Sequence, residues 1–342
     1  MKLSCVPMAD YPGDLWLDWD ELNQSYCDSH PLLQSRFVEP LTRHFPSDIE
    51  VLAAYESDKC MALMLMQSAR GVIQSSYLPS QSQMALALTP EAFPSVFEQQ
   101  HGCVPAKVLR MDVFSIDPRY QSGIARLSGL ELIPKSTDAA IDCSGDFDNY
   151  WAQRPKNLRK NISRYINRAN KELGGYTLKI ATNKQHVAEA VDRYGLLESE
   201  GWKGESGTAL HPDNVQGRYY REIMQSFAES GNAYVFELWT GGEMVASRLL
   251  VGNDNILVVL KTTYSEPLKH YAFGRLLFYE TIKFVFENRL APELDLYTDA
   301  TKEQLDWSTH SRKFYNGSLY RRGVGSVMKQ AIKFRRLVAN GG

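Results

Sequence analysis

The sequence predicts an α+β protein of two domains built on mixed sheets. Three observations carry this. The chain has 342 residues, about the length of two domains of common size. Its second half reads helix, strand, two helices, hairpin, strand, helix, strand, helix, strand, an order that interleaves both element types rather than segregating them. Its charge also divides: residues 1–150 carry 10 Lys/Arg against 20 Asp/Glu, and the remainder 28 against 20, although the net charge is only −2. A boundary at the polar stretch Ser136–Asp148 separates a first domain, 1–145, from a second, 146–342.

In the first domain, Asp14–Tyr26 and Pro31–Phe45 read as helices, with Pro31 suited to a first helical turn. Ile49–Ser57 and Lys59–Ser68 are apolar runs joined as a hairpin, and Gly71–Leu78 and Lys107–Ser115 are further strands. Thr89–Gln100 is a helix opening with Pro90. The second domain is more regular. Pro155–Leu173 has apolar residues at 158, 162, 165, 166, 169 and 173, a helical stripe that stops at Gly174-Gly175. Tyr176–Thr182 is a strand; Gln185–Glu200 and Val215–Ser230 are helices. Ala233–Thr240 and Met244–Val251 form a hairpin whose Gly241-Gly242 turn tolerates positive φ. The strand Asn255–Thr263 feeds a loop and a helix beginning at Gly274, with apolar positions 276, 277, 278, 282, 285 and 286. Glu293–Thr298 is a strand, Lys302–Tyr315 a helix, Ser318–Arg322 a strand and Gly325–Val338 a final helix.

No apolar run approaches the roughly 18 to 20 residues of a membrane-spanning helix, and the first ten residues lack the apolar core of a secretory signal. Cys5, Cys27, Cys60, Cys103 and Cys143 are scattered and odd in number. That pattern argues against a disulfide framework or a zinc site and places the protein in a reducing compartment, the cytoplasm. No metal is expected. The basic second half suits phosphates, nucleic acid, an acidic glycan, or simply the acidic first half.

Three places carry candidate chemistry. Gly274 stands where strand and loop give way to a helix; a glycine there lets a bound group approach the backbone, and first-turn N–H groups favour an anion. Many such joints bind nothing. The loop GWKGESGTALHPDN places Trp202 and Lys203 between glycines, suited to stacking and to meeting an anion, or to plugging a core. Glu198 and Glu200, just before it, are candidate bases or a solvated helix end. Asp295, Tyr297 and Asp299 alternate along one strand and so share a face near its carboxyl end, either as a site or as a wet edge.

The element order resembles the GNAT acyltransferase superfamily, and more narrowly its FemAB-like branch, which includes acetyltransferases associated with cellulose and exopolysaccharide synthesis. The resemblance rests on WAQRPKNLRKNISRYINRANKELG (Trp151–Gly174), on ESEGWKGESGTAL (Glu198–Leu210) and on the Tyr264–Phe278 loop and helix. It covers residues 150–322. HYAFGR departs from the usual phosphate loop in having one glycine.

The resemblance implies two tandem GNAT-like domains, each a mixed, mostly antiparallel sheet flanked by helices. It also implies transfer of an acyl group from acyl-CoA, such as acetyl-CoA, to an amine or hydroxyl, with a sugar or polysaccharide precursor as one acceptor. The donor pyrophosphate is then expected on the backbone of Ala272, Phe273 and Gly274, with Lys269, His270 and Arg275 as cations. Tyr297 becomes a proton relay, Asp299 and Glu200 candidate bases, and Trp202 and Lys203 line the acceptor side. In the FemAB group proper the donor is aminoacyl-tRNA, so the basic helix from Lys156 to Lys171 suits tRNA phosphates as well as a solvated face. A catalytically silent scaffold is the third reading.

Overall fold

The computed structural model describes residues 2–91, 107–127, 129–201, 207 and 209–321. Along the chain run β1 (Lys2–Pro7), α1 (Leu15–Cys27), α2 (Ser35–His44), β2 (Ile49–Glu56), β3 (Lys59–Arg70), β4 (Ile73–Ser76), β5 (Ala87–Leu88), β6 (Arg110–Ile116), α3 (Ser122–Ala125) and β7 (Glu131–Asp142). Then come α4 (Phe147–Ala152), α5 (Lys156–Leu173), β8 (Thr177–Ala181), α6 (Lys184–Ser199), α7 (Val215–Ala228), β9 (Ala233–Thr240) and β10 (Glu243–Gly252). The last are β11 (Leu257–Tyr264), α8 (Phe273–Asn288), β12 (Glu293–Asp295), α9 (Lys302–Trp307) and β13 (His310–Tyr320). Helices and strands alternate in the α+β manner expected.

Two compact units emerge. The first comprises Met1–Asp28, Pro46–Lys135 and Lys313–Gly342, the second Ser29–Phe45 and Ser136–Arg312. The chain therefore changes unit at four places, where the sequence reading has one boundary at 145. In the first unit the strands lie in the order β1-β2-β3-β4-β6-β13, with β5 beside β3. Only β4 and β6 run parallel among its described pairs. Leu52, Met64, Met66, Val113 and Ile116 fill its core.

The second unit has the order β7-β12-β11-β10-β9-β8. Here β11 and β12 are the parallel neighbours and the other described pairs are antiparallel. The hairpin between β9 and β10 turns at Gly241 (φ 58°) and Gly242 (φ 87°), values that L side chains rarely adopt. One face of this sheet carries Phe236, Ala246, Leu250 and Val259 against Leu158, Ile162 and Ala169 of α5 and Leu276, Leu277 and Ile282 of α8. Each such Leu, Ile or Phe contributes about 1.5–3 kcal/mol by leaving water. The apolar stripe of α5 is why it forms here: its opposite face is a run of Lys and Arg, and Gly174 (φ 74°) ends it. Helix α6 packs on α7, burying Val187, Val191, Tyr194, Tyr219, Ile223 and Phe227. Helix α2 joins α7 although it lies far earlier in the chain. The Phe37 and Tyr219 rings meet edge to face at 6.0 Å, Arg36 lies 3.8 Å from the Phe227 ring centre, and Arg43 and His44 both bond Glu222, at 2.6 and 2.7 Å.

Several expected elements differ. The polar stretch from Ser136 is regular structure in its first part: Asp138–Ile141 are buried within β7, where a charged residue meets a buried partner described below. The expected helix Lys302–Tyr315 stops at Trp307. Ser308 is extended, and Thr309 ties into β7 by donating its N–H to Ala140 O and accepting the N–H of Asp142 at 2.8 Å, which launches β13 from His310. The strand Glu293–Thr298 ends at Asp295. Most of Thr89–Gln100 and all of Gly325–Val338 lie outside the described residues.

Candidate functional site

The parallel pair β11/β12 is short. Leu257 lies opposite Leu294 and Val258 opposite Asp295, and there the pairing stops while β11 continues to Tyr264. On its other side, Leu249 of β10 faces Lys261 and Leu250 faces Val259, so Leu260 is the extra residue of a bulge. A bulge re-aims backbone groups and bends its strand. Beyond it β11 parts from β12.

At the end of β12 the backbone turns sharply. Tyr297 has φ 40°, an uncommon conformation for an aromatic residue that costs of order 1–3 kcal/mol. Hydrogen bonds hold the turn. The Tyr297 N–H donates to Asp295 Oδ1 at 2.9 Å, and the Thr298 N–H to Asp138 Oδ1 at 3.0 Å. Arg312 Nη1 lies 2.6 Å from Asp295 Oδ2 and 3.1 Å from Asp138 Oδ2, and its guanidinium stands 5.0 Å from the Tyr297 ring centre. Asp138 Oδ2 makes no hydrogen bond in this arrangement, so Arg312 holds it by charge.

Both carboxyls are almost sealed, 1% and 0% exposed. Burial pushes Asp295 well above the ordinary carboxylate range, and the neighbouring Asp138 pushes further, with Arg312 opposing. Burial raises Asp138 as well, against the pull of Asp295 and Arg312. Two acids facing one guanidinium favour a shared proton.

The Tyr297 hydroxyl lies 2.8 Å from His30 Nε2, and the two rings meet edge to face at 5.2 Å. His30 is 1% exposed and caps the turn Pro31–Leu33, its Nδ1 accepting the Leu32 N–H at 3.3 Å. That bond assigns the tautomer: with Nδ1 an acceptor, the proton sits on Nε2 and is donated to Tyr297 Oη. The phenol proton then points away from the imidazole.

The second locus is the start of α8. Ala272, at φ 57°, occupies its N-cap, and no side chain caps the helix. Phe273 is buried in the core. A Cβ on Gly274 would lie 2.9 Å from Tyr264 Cδ1, so the glycine makes room for a ring of β11. Arg275 is engaged, its Nη2 donating to Glu303 Oε2 at 2.7 Å and its Nη1 to the Tyr165 hydroxyl at 3.0 Å. Lys269 and His270 are exposed, and the His270 carbonyl accepts from Arg168 at 2.8 Å.

Of the residues singled out in the sequence, Tyr297 and Asp295 join the buried cluster. The expectation that Asp295, Tyr297 and Asp299 share a face differs from the structure, because the strand ends at Asp295 and the positive φ at Tyr297 breaks the two-residue alternation. Asp295 is interior scaffolding for the turn. Asp299 is exposed and accepts the Thr137 N–H at 3.2 Å. Glu200 is exposed at the end of α6, whereas Glu198 is buried, accepting the Tyr194 hydroxyl at 3.0 Å and the Leu210 N–H at 2.7 Å. Trp202 and Lys203 lie outside the described residues. Sequence reading missed His30, Asp138 and Arg312. The one local signal was a histidine immediately before Pro31, a capping position.

Residues 156–305, less than half of the chain, match the family model of an acetyltransferase (GNAT) domain. The matched stretch runs from the start of α5 into α9; it contains the start of α8 together with Asp295 and Tyr297, whereas His30, Asp138 and Arg312 lie outside it. The fold is similar to that of FemX, with a TM-score of 0.60 and 11% identity over 97% of this chain and 100% of that one. It is also similar to the C-terminal domain of a putative lysylphosphatidylglycerol synthetase from Agrobacterium fabrum, with a TM-score of 0.57 and 12% identity over 93% and 95%. L-PGS from Bacillus licheniformis gives 0.52 and 14% over 83% and 88%. At these identities the likeness is one of fold. No curated protein matches the sequence.

Proposed function

We propose that the second unit is an acyltransferase that moves an acyl group from an acyl-CoA thioester to an amine or hydroxyl. The observation that carries this reading is Tyr297, held in a strained turn where β12 leaves β11 and fixed through its hydroxyl by His30. The match of residues 156–305 to an acetyltransferase domain supports it.

Acyl transfer from a thioester breaks a C–S bond as a C–N or C–O bond forms. One proton leaves the acceptor and one must reach the departing thiolate. Tyr297 is the proposed proton donor to sulfur: its hydroxyl proton is directed away from His30, and the His30 Nε2–H stabilises the phenolate that results. Asp138, Asp295 and Arg312 are positioning residues that hold the turn. Asp299 and Glu200, both exposed, remain the candidate bases for the acceptor. Backbone around Ala272, Phe273 and Gly274, with Lys269, His270 and Arg275, is proposed to receive the donor pyrophosphate, and Trp202 and Lys203 the acceptor. A sugar or polysaccharide precursor in the cytoplasm is the proposed acceptor class. Among the described residues no helix is long and apolar enough to cross a membrane.

Release of free thiol from acetyl-CoA, followed while amine and sugar acceptors are varied, tests the reading. Acceptor-dependent release that Tyr297→Phe abolishes is the expected result. No acceptor-dependent release and no stabilisation by acetyl-CoA would overturn it. A second reading, an aminoacyl-tRNA donor, draws on the exposed Lys156, Lys160, Arg164 and Lys171 of α5. It predicts tRNA binding that weakens steeply with salt.

A further inference from the structure

Arg248 is a buried cation to which the described residues offer no anion. It stands mid-strand in β10, opposite Phe236 and Thr262 in register, and so points to the face that α8 covers. It is 6% exposed. Its Nε donates to Thr262 Oγ1 at 2.9 Å, its guanidinium lies 4.2 Å from the Phe278 ring centre, and Nη1 has no hydrogen-bond partner. Three other charged groups of this unit are answered: Arg312 by Asp138 and Asp295, Arg193 by Glu237 at 2.9 Å, and Glu198 by Tyr194 and the Leu210 N–H. Burial pulls the Arg248 guanidinium down to about 9, opposed only by Tyr194, so it stays charged at neutral pH.

A desolvated guanidinium without a counter-ion is costly, and an apolar residue of like volume is commonly more stable in such a place. Packing among the described residues therefore does not account for an arginine here. The surroundings indicate what does. Thr262 is half-buried and Tyr264, two residues on, is 46% exposed, so this face of β11 runs from Arg248 out towards solvent beside the first turn of α8. This is the part of β11 that has left β12. Since Thr262 Oγ1 accepts from Nε, its hydroxyl proton is available to a ligand. Phe278 supplies an apolar wall, which strengthens any ion contact beside it.

We infer that Arg248 and Thr262 form a subsite for an oxyanion of the substrate, Nη1 and the Thr262 hydroxyl each binding one oxygen. One charged and one neutral donor side by side match the two oxygens of a carboxylate, such as the free end of a dicarboxylic acyl group. A phosphate of the donor presents the same oxyanion chemistry from another source. The identity of the carrier rests on the acyltransferase reading; the anion site itself does not.

The test compares wild type, Arg248→Met and Arg248→Lys by calorimetry and thermal shift with acetyl-CoA, succinyl-CoA, succinate and pyrophosphate. The expected result is that succinyl-CoA binds wild type more tightly than acetyl-CoA, and that Arg248→Met removes the difference by weakening succinyl-CoA about 10- to 100-fold. Arg248→Lys, which keeps the charge without the fork, should retain part of that preference. An equal loss for both thioesters, mirrored by pyrophosphate, assigns the subsite to a donor phosphate instead. If neither thioester binds wild type, the acyl-CoA reading fails, while a shift by succinate or pyrophosphate that Arg248→Met abolishes still upholds the anion site. The inference is overturned if both variants bind all four probes within twofold of wild type, or if no probe binds at all. Should Arg248→Met fail to fold, unchanged affinities in Arg248→Lys together with Thr262→Val overturn it equally.

Discussion

Ala272 and Tyr297 interrupt regular structure in the same way, each a non-glycine residue in the left-handed region, at φ 57° and 40°. Their surroundings are opposite. At the start of α8 the charged neighbours Lys269, His270 and Arg275 are exposed, Arg275 is bound in a surface ion pair with Glu303, and the space beside Gly274 is filled by the ring of Tyr264. At the end of β12 the neighbours are buried, two carboxyls share one guanidinium, and the tyrosine hydroxyl has a dedicated donor. A helix start needs little from its surroundings, since solvent satisfies what the backbone leaves over. A buried turn persists only where specific partners over-determine it. Strain with such support points to function more strongly than a helix terminus with a glycine.

The largest contrast should come from the tyrosine itself. Tyr297→Phe is expected to lower kcat by roughly two to four orders of magnitude, with near-normal circular dichroism, because the proton donor is lost and the ring stays. Loss confined to KM would move the chemistry elsewhere. His30→Ala comes next. It should cost about 1–3 kcal/mol in urea unfolding, by leaving the Tyr297 hydroxyl without its donor, and should lower kcat with KM little changed. His30→Gln, which can present an N–H near the Nε2 position, should restore part of the rate; no restoration would make His30 a packing residue only.

The acid pair sets a pH dependence whose sign follows from its raised folded-state pKa values. The folded protein holds a proton that the unfolded chain releases near pH 4. Its stabilising contribution is complete below that pH and is lost as pH rises through the folded value. Wild-type stability should therefore fall across this window by at most about 1.4 kcal/mol per pH unit for one proton. Asp138→Asn should flatten the slope of urea midpoints measured from pH 4 to 8; an unchanged slope would mean that the pair shares no proton.

Effects at α8 should be smaller. Gly274→Ala sets a Cβ against Tyr264 and should cost about 1 kcal/mol or slightly more. If the glycine only seats that ring, Tyr264→Ala should relieve the cost and restore donor binding in the double variant. If the glycine serves a pyrophosphate, binding stays weak. Smallest is Arg275→Met, expected to change stability by under about 1 kcal/mol because both partners are exposed. A larger loss of acyl-CoA affinity in that variant would return weight to this locus.

The two loci also differ in how far the sequence announced them. Helices α5 and α8 and the β9/β10 hairpin were legible because each depends on local pattern: an apolar stripe, a glycine stop, a two-glycine turn. The start of α8 was legible for the same reason. The buried cluster was not, since its parts come from four distant places in the chain. Asp138 read as part of a polar boundary stretch because its partner, Arg312, lies beyond any local window. The alternation of Asp295, Tyr297 and Asp299 suggested a continued strand, and nothing local marks Tyr297 as left-handed. His30 and Tyr297 are 267 residues apart, so only tertiary structure pairs them.

The placement of residues 29–45 in the second unit bears on how the protein is made. Phe37 leaves the ribosome 182 residues before Tyr219, the ring on which it packs. At typical synthesis rates that interval is on the order of ten to forty seconds. Throughout it, an amphipathic segment bearing Phe37, Val38 and Leu41 has no helix α7 to cover it, and a chaperone that holds apolar segments has time to act. His30 waits longer still, because Tyr297 follows near the end. A gene fragment cut at residue 146 would encode every residue of the acetyltransferase match yet lack both α2 and the imidazole beside Tyr297. Supplying residues 29–45 as a separate peptide is the natural complementation partner for such a fragment.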